Sequence, residues 1–218
     1  MKLWQEMLEL LFPSKCLLCG NLLTKEETDL CHGCRKDAPA FAKRQGQIRF
    51  VSDVTAVWEY RDQVRRSLLR YKFYNSRSFA KGYGRLLAMK IIQAYGRKFD
   101  MVTWIPVSAK RRRQRGYDQV ELIAKAVCAE LGCPLIPTLV KHRNTKANSS
   151  LATGAQRRAN VLGAYRLMPG VEVCGRRIVV LDDIVTTGAT ASECARVLAG
   201  GGAKEVYLAA VASAEKEH

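Results

Sequence analysis

The apolar positions of this chain follow two different periods. The runs at 101–107, 135–140, 177–181 and 205–212 are short, rich in Val, Ile and Leu, and bounded by polar residues, Gly or Pro, which predicts buried strands. Between them the apolar residues recur every three or four positions. Those at 120, 123, 124, 127 and 131 share one face of a helix that Asp118 can cap and that Gly132 with Pro134 can end. A second helix is predicted at 190–198, where Gly200-Gly201-Gly202 stops it, and a short one at 155–162. The stretch 141–154 is polar and poor in apolar residues, so it is expected to be a mobile loop. Strands alternating with helices need crossover connections, which pair strands in parallel and put helices on the sheet. The expected class is therefore α/β with a parallel sheet, and ligands in such sheets bind at the carboxyl ends of the strands.

The amino-terminal part reads differently. Positions 51–60 are rich in Val, Thr and aromatics, as strands are, and 61–73 and 79–95 have helical spacing with a break around Asn75-Ser76. Positions 39–46 form a polar connection. Apolar residues at 3, 4, 7, 8, 11 and 12 predict a short amphipathic helix packed on the protein. Glu6 and Glu9 interrupt that stretch, so it lacks the core of a signal peptide. No stretch approaches the ~20 apolar residues of a membrane span. The expected location is the cytoplasm.

Charge narrows the partners. The chain has 36 Lys+Arg against 20 Asp+Glu, a formal net charge of +16. Hydrophobic residues make up 48% of its 218 residues, enough for a core, which excludes a disordered chain. An excess of cations points to an anionic partner: nucleic acid, a phosphorylated ligand or a membrane surface. A merely solvated basic surface is the alternative.

Four of the eight cysteines make one pattern: Cys16-x2-Cys19, eleven residues, then Cys31-x2-Cys34. Two such pairs let four thiolates reach one tetrahedral Zn²⁺, and a full shell leaves no place for a reacting water, so the site is structural. The alternatives are a redox dithiol or scattered buried thiols. Cys128, Cys133, Cys174 and Cys194 have no metal-like spacing and are expected to be small buried hydrophobes.

The segment richest in chemistry runs from Ile178 to Thr190. A buried strand brings Asp182 and Asp183 to its carboxyl end and enters Thr186-Thr187-Gly188-Ala189-Thr190, which opens a helix. Backbone N–H groups at a helix start cradle anions, Gly188 lets the backbone approach a phosphate, and the threonines add uncharged donors. The two acids repel a phosphate but suit ribose hydroxyls and Mg²⁺, directly or through water.

These thirteen residues resemble the phosphoribosyl-pyrophosphate (PRPP) signature of type I phosphoribosyltransferases. A wider pattern runs in order through the four cysteines, Tyr71-Lys72-Phe73, Ile105-Pro106-Val107, Arg115-Gly116-Tyr117-Asp118-Gln119, Arg158-Ala159-Asn160-Val161 and the PRPP segment. It resembles the ComF family of competence proteins over nearly the whole chain. Asp118 stands where that family commonly has Asn, and Asn148 where it commonly has Gln. The resemblance implies a zinc finger at 1–45, a phosphoribosyltransferase-like domain at 46–218, and a cytosolic role in DNA uptake and natural transformation. It implies PRPP with Mg²⁺ as ligand, Asp182 and Asp183 as the catalytic pair, and contacts from Thr186, Thr187, Gly188, Ala189 and Thr190. The 6-oxopurine transferases that this loop also resembles carry Asp at the place of Thr186, so that specificity is not expected.

Two basic groups remain. Lys110, Arg111, Arg112, Arg113 and Arg115 follow the strand at 101–107. They fit a loop holding the pyrophosphate of PRPP, with Lys110, Arg111 and Arg115 as contacts, or a DNA phosphate patch, or a solvated face. Arg61, Arg65, Arg66, Arg70 and Lys72 are interleaved with Tyr60, Tyr71, Phe73 and Tyr74, a mixture that suits single-stranded DNA, although a helix with its aromatics in the core reads the same way. Lys72 is a further candidate for the PRPP site. Three functions follow: a ComF-type protein handling incoming DNA together with other uptake proteins, a metabolic phosphoribosyltransferase of unknown acceptor, and a PRPP-sensing regulator that binds nucleic acid.

Overall fold

The computed structural model describes residues 13–44, 46–74, 76–146 and 151–214. The helix expected from positions 3–12 and the departure at Asn148 lie outside them.

Four strands form one sheet: β1 (Asp53–Glu59), β2 (Met101–Trp104), β5 (Arg177–Val185) and β6 (Glu205–Ser213), ordered β1-β6-β5-β2 and all parallel. Helices α2 (Asp62–Phe73), α3 (Phe79–Tyr95) and α5 (Gln119–Leu131) pack on one face, and α7 (Ala189–Gly200) on the other. Alternation along the strands sorts the residues: Val179, Leu181, Ala209 and Val211 join the core under α2, α3 and α5, while Ile178, Val180, Leu208 and Ala210 join the core under α7. Both faces are thus covered, and the central strands read as continuous apolar runs.

Local chemistry sets the element ends. Asp118 Oδ1 accepts from the N–H groups of Val120 and Glu121 at 2.9 and 3.2 Å, and Gly132 at φ 63° closes α5. The basic run is not a loop as expected but a short helix, α4 (Ala109–Arg115), which Ser108 caps and Gly116 ends at φ 76°.

Two strand expectations change. The run 135–140 is not one sheet strand. Leu135 bridges Val102 in parallel, but Pro137 has no N–H to continue the ladder. The chain leaves the sheet, and β3 (Leu139–Lys141) pairs antiparallel with β4 (Tyr165–Leu167), a strand too short to show a period. The strand expected at 177–181 continues to Val185, because β6 pairs with it through Ile184↔Ala212 and Val185↔Ser213. A capping box of Thr153 and Gln156 begins α6 (Gly154–Val161).

The cysteine-rich segment, with its short helix α1 (His32–Asp37), shares the core of α2 and α3. Leu17, Leu18 and Leu30 are buried with Leu68, Tyr71, Tyr83 and Leu87. Ser67 Oγ and Arg70 Nη2 donate to the Leu17 carbonyl, and Arg70 also donates to that of Leu18. Asp29 forms a two-pronged pair with Arg85, 2.9 Å at Nε. The approach needs Gly82, because a Cβ there would stand 2.5 Å from Asp29 Oδ1 and 2.9 Å from Leu17 Cδ1. Among the other cysteines, Cys128 and Cys194 are buried and Cys133 is half-buried, but Cys174 is exposed, because it sits in the turn before β5.

Candidate functional site

Cys16, Cys19, Cys31 and Cys34 come together as their spacing predicts, with all four Sγ atoms within 4.8 Å of one another. A tetrahedral zinc with Zn–S near 2.3 Å separates its sulfurs by about 3.8 Å. The Sγ atoms of Cys19 and Cys31 are 3.7 Å apart. Burial alone would raise the Cys16 thiol, but the N–H groups of Cys31, Cys19 and Leu18 outweigh it and bring the pKa down to about 7. Burial and the three neighbouring sulfurs push the Cys34 thiol up, because four thiolates repel one another until a cation joins them. The donor set fits structural zinc, held by all four sulfurs. Cys34 Sγ also lies 3.1 Å from Gln63 Oε1 on α2.

A cavity of about 580 Å³ opens at the carboxyl ends of β2 and β5. Asp182, Asp183, Thr186, Thr187, Gly188, Ala189 and Thr190 line it, with Arg111, Arg115 and Lys72. Lys110 does not: it is exposed on α4 and outside the lining. Arg112 reaches Glu121 at 3.6 Å instead of the cavity.

The acid pair is divided by the pleat of β5. Asp183 turns to the α2 and α5 face. Its Oδ2 accepts from Lys72 Nζ at 3.0 Å and from Gln119 Nε2 at 3.2 Å. Asp182 falls on the α7 face, and its Oδ1 accepts the Asp183 N–H at 2.8 Å. Burial, then the charge of Asp183, holds the Asp182 carboxyl well above the usual carboxylate range, against the pull of Lys72.

Gly188 caps α7 at φ 73° with no side-chain cap bond, so the helix start faces the cavity. The close approach recorded at Gly188 is to Ile48, whose Cδ1 would lie 2.5 Å from an added Cβ. Arg44 supports the same loop, donating to the Thr186 carbonyl at 2.6 Å and to Ser213 Oγ at 3.2 Å.

Several lining residues carry no sequence signal. Lys141, at the end of β3, stands 5.0 Å from the Tyr165 ring centre. Burial, then repulsion by Arg111, brings its pKa down to about 8. Arg157, Thr145 and Lys146 complete that side. Asn160 holds Lys146 in place, accepting its N–H at 3.2 Å and donating to its carbonyl at 3.1 Å. Asp118, besides capping α5, accepts the Val107 N–H at 2.9 Å, which fixes the 105–107 segment at the cavity wall.

The second basic group splits. Tyr71 is fully buried and donates to the Gln119 carbonyl at 2.7 Å, whereas Phe73 and Tyr74 are 65% and 76% exposed. The Arg115 guanidinium lies 5.2 Å from the Phe73 ring centre, and Arg65 joins them on the cavity lining. Among the described residues, no helix is long and apolar enough to cross a membrane.

Comparison with known proteins finds two family matches. Residues 7–45 match the double zinc ribbon domain family, and residues 121–218 match the phosphoribosyl transferase domain family. The fold is that of the type I phosphoribosyltransferases, preceded by a zinc ribbon. Relatives with the same span include the DNA utilization protein YhgH of Escherichia coli (strain K12), 27% identical over 197 residues, 88% of this chain and 81% of that protein. Competence protein F of Haemophilus influenzae is 23% identical over 225 residues, 93% of this chain and 98% of that one. Competence protein ComFC of Bacillus subtilis is 23% identical over 192 residues, 84% of this chain and 77% of that one. The chain is similar to each of these three proteins over most of its length.

Proposed function

We propose that this protein binds Mg²⁺-PRPP in the cavity at the carboxyl ends of β2 and β5. The observation that carries this reading is the joint presence, on one cavity wall, of an acid pair, a Thr/Gly loop at an open helix start, and Arg111 with Arg115. Thr186 to Thr190 and the N–H groups of α7 hold the 5-phosphate. Asp182 and Asp183 serve the ribose diol and the cation. Arg111 and Arg115 neutralise the pyrophosphate. Mg²⁺, when bound, adds charge neutralisation of the leaving pyrophosphate, and the two carboxylates are donors of the right kind for it. Lys72 acts through Asp183, to which it is bonded.

The cellular role that fits this chain is the handling of DNA in competence or DNA use, as the names of its relatives indicate. Exposed Phe73, which lines the cavity with Arg65 and Arg115, and exposed Tyr74 next to it in the chain favour single-stranded DNA at this end of α2, where bases stack on rings and arginines meet phosphates.

Calorimetry with Mg²⁺-PRPP on wild type and on the double variant Asp182→Ala/Asp183→Ala tests the ligand. Binding is expected in the first and not in the second, and equal affinity in both would sink the site assignment. Fluorescence anisotropy with a single-stranded oligonucleotide, titrated with salt, tests the partner. Binding is expected to weaken with salt and with Phe73→Ala/Tyr74→Ala; an affinity indifferent to both changes removes DNA from the reading.

A further inference from the structure

α2 meets the ribbon through Gln63, Ser67 and Arg70, whose spacing lines them up along one side of the helix. Ser67 Oγ donates to the carbonyl of Leu17, and Arg70 to those of Leu17 and Leu18, which pins the backbone between Cys16 and Cys19. Gln63 reaches a zinc ligand itself: the end of its amide carrying Oε1 lies 3.1 Å from Cys34 Sγ. Cys34 is only 6% exposed and sits inside α1. There the N–H of Arg35, the next residue, is spent on the Cys31 carbonyl at 2.9 Å. The Cys16 sulfur, in contrast, receives the N–H groups of Cys31, Cys19 and Leu18. A buried thiolate needs donors of this kind.

We infer that Gln63 orients and stabilises the zinc site by donating its side-chain NH₂ to the zinc-bound sulfur of Cys34. The inference rests on the four-thiolate zinc assignment and is independent of the PRPP reading. An amide oxygen beside a sulfur suits a thiol, whose S–H donates. A zinc-bound sulfur is a thiolate. It carries no proton and only accepts, so an oxygen facing it would set two acceptors against each other. The two ends of an amide have nearly the same shape. Half a turn about the last side-chain bond puts Nε2 where Oε1 stands and moves nothing else. An N–H···S bond draws charge from the sulfur, which suits four thiolates sharing one dication. It also ties the zinc site to α2 by a directed bond, beside the apolar core they share. Gln63 is thus a positioning residue: it touches a ligand and not the metal.

The test replaces zinc by Co²⁺, whose thiolate-to-metal charge-transfer absorption reports the charge on sulfur. Gln63→Leu and Gln63→Met keep the bulk and remove the donor. Both are expected to move that absorption to longer wavelength, a change that loss of packing alone would not produce. Both are also expected to weaken Zn²⁺ binding, measured in competition with a chelator, by roughly tenfold or more. Gln63→Glu offers only acceptors at neutral pH and is expected to weaken it further. An absorption unchanged in the Leu and Met variants overturns the inference, and so does a Glu variant that binds Zn²⁺ as wild type does. Wild type that takes up neither metal overturns the zinc assignment itself. Should the variants not fold, wild type loaded with NMR-active Cd²⁺ decides: a side-chain NH₂ proton of Gln63 must couple to the metal through Cys34 Sγ, and the lack of such coupling refutes the inference.

Discussion

Lys72 Nζ lies 3.0 Å from Asp183 Oδ2, and the two side chains are 18% and 6% exposed. The pair joins α2 to the carboxyl end of β5, and Gln119 joins α5 to the same oxygen. A buried carboxylate is tolerable only with such partners. Removing the cation alone strands the charge.

Lys72→Met is therefore expected to destabilise the protein by about 3–5 kcal/mol. Adding Asp183→Asn should recover part of the loss. Urea unfolding of the two single variants and the double variant gives the coupling. Additive effects would mean that the pair is not coupled.

Asp182 carries a pH signature. Burial and Asp183 hold its carboxyl above the unfolded value, so at low pH both states are protonated and nothing is lost. As pH rises past the unfolded value, the unfolded chain ionises first and gains stability over the folded one. Asp182→Asn should raise the melting temperature at pH 7–8, by a margin that shrinks towards pH 4. Thermal melts across that range check it, and a margin that grows on acidification contradicts it.

Lys141 should report the arrival of an anion. Its pKa is brought down to about 8 by burial and by Arg111. A pyrophosphate beside it favours the ammonium form and raises that value, so binding near pH 8 takes up a proton. Calorimetry of Mg²⁺-PRPP in two buffers of different ionisation enthalpy should show the uptake in wild type and not in Lys141→Met. Affinity should fall as pH rises beyond the liganded value. Identical apparent enthalpies in both buffers would place the anion elsewhere.

The ribbon should unfold with the rest of the chain. Gly82→Ala sets a methyl group against Asp29 and Leu17, which is expected to cost about 1–3 kcal/mol. Chelating the zinc from the four sulfurs should lower the melting temperature of the single transition, since Leu17, Leu18 and Leu30 belong to the core of α2 and α3. Two separate transitions after chelation would mean that the ribbon is an independent unit. Protein purified without chelator should hold one zinc per chain.

Legibility in the sequence followed the distance over which the chemistry acts. The thiol cluster, the Asp118 cap and the bounds of α3 are set within a few residues, so spacing and period disclose them. Pro137 was visible, but its effect on the sheet depends on a partner strand 28 residues further on, at Tyr165. The extension of β5 through the acid pair depends on β6. Gln119 reads as the first residue of a helix, and only Asp183, 64 residues away, turns its amide. Lys141 looks like any other lysine until Tyr165 and Arg111 surround it. The basic run announced its charge but not its helix, which is why Lys110 faces away from a cavity that Arg111 and Arg115 line.

The pleat of β5 gives the two adjacent acids different neighbourhoods. Asp183 is attached to the half of the molecule that contains the ribbon, and Asp182 to the half built on α7. The cavity lies on the seam between these halves. Damage to one half should therefore reach the ligand through one acid only: a loosened ribbon core by way of Lys72 and Asp183, a loosened α7 core by way of Asp182. Deleting a single residue from β5 ahead of the pair would exchange their surroundings and keep the composition of the site, yet undo its arrangement.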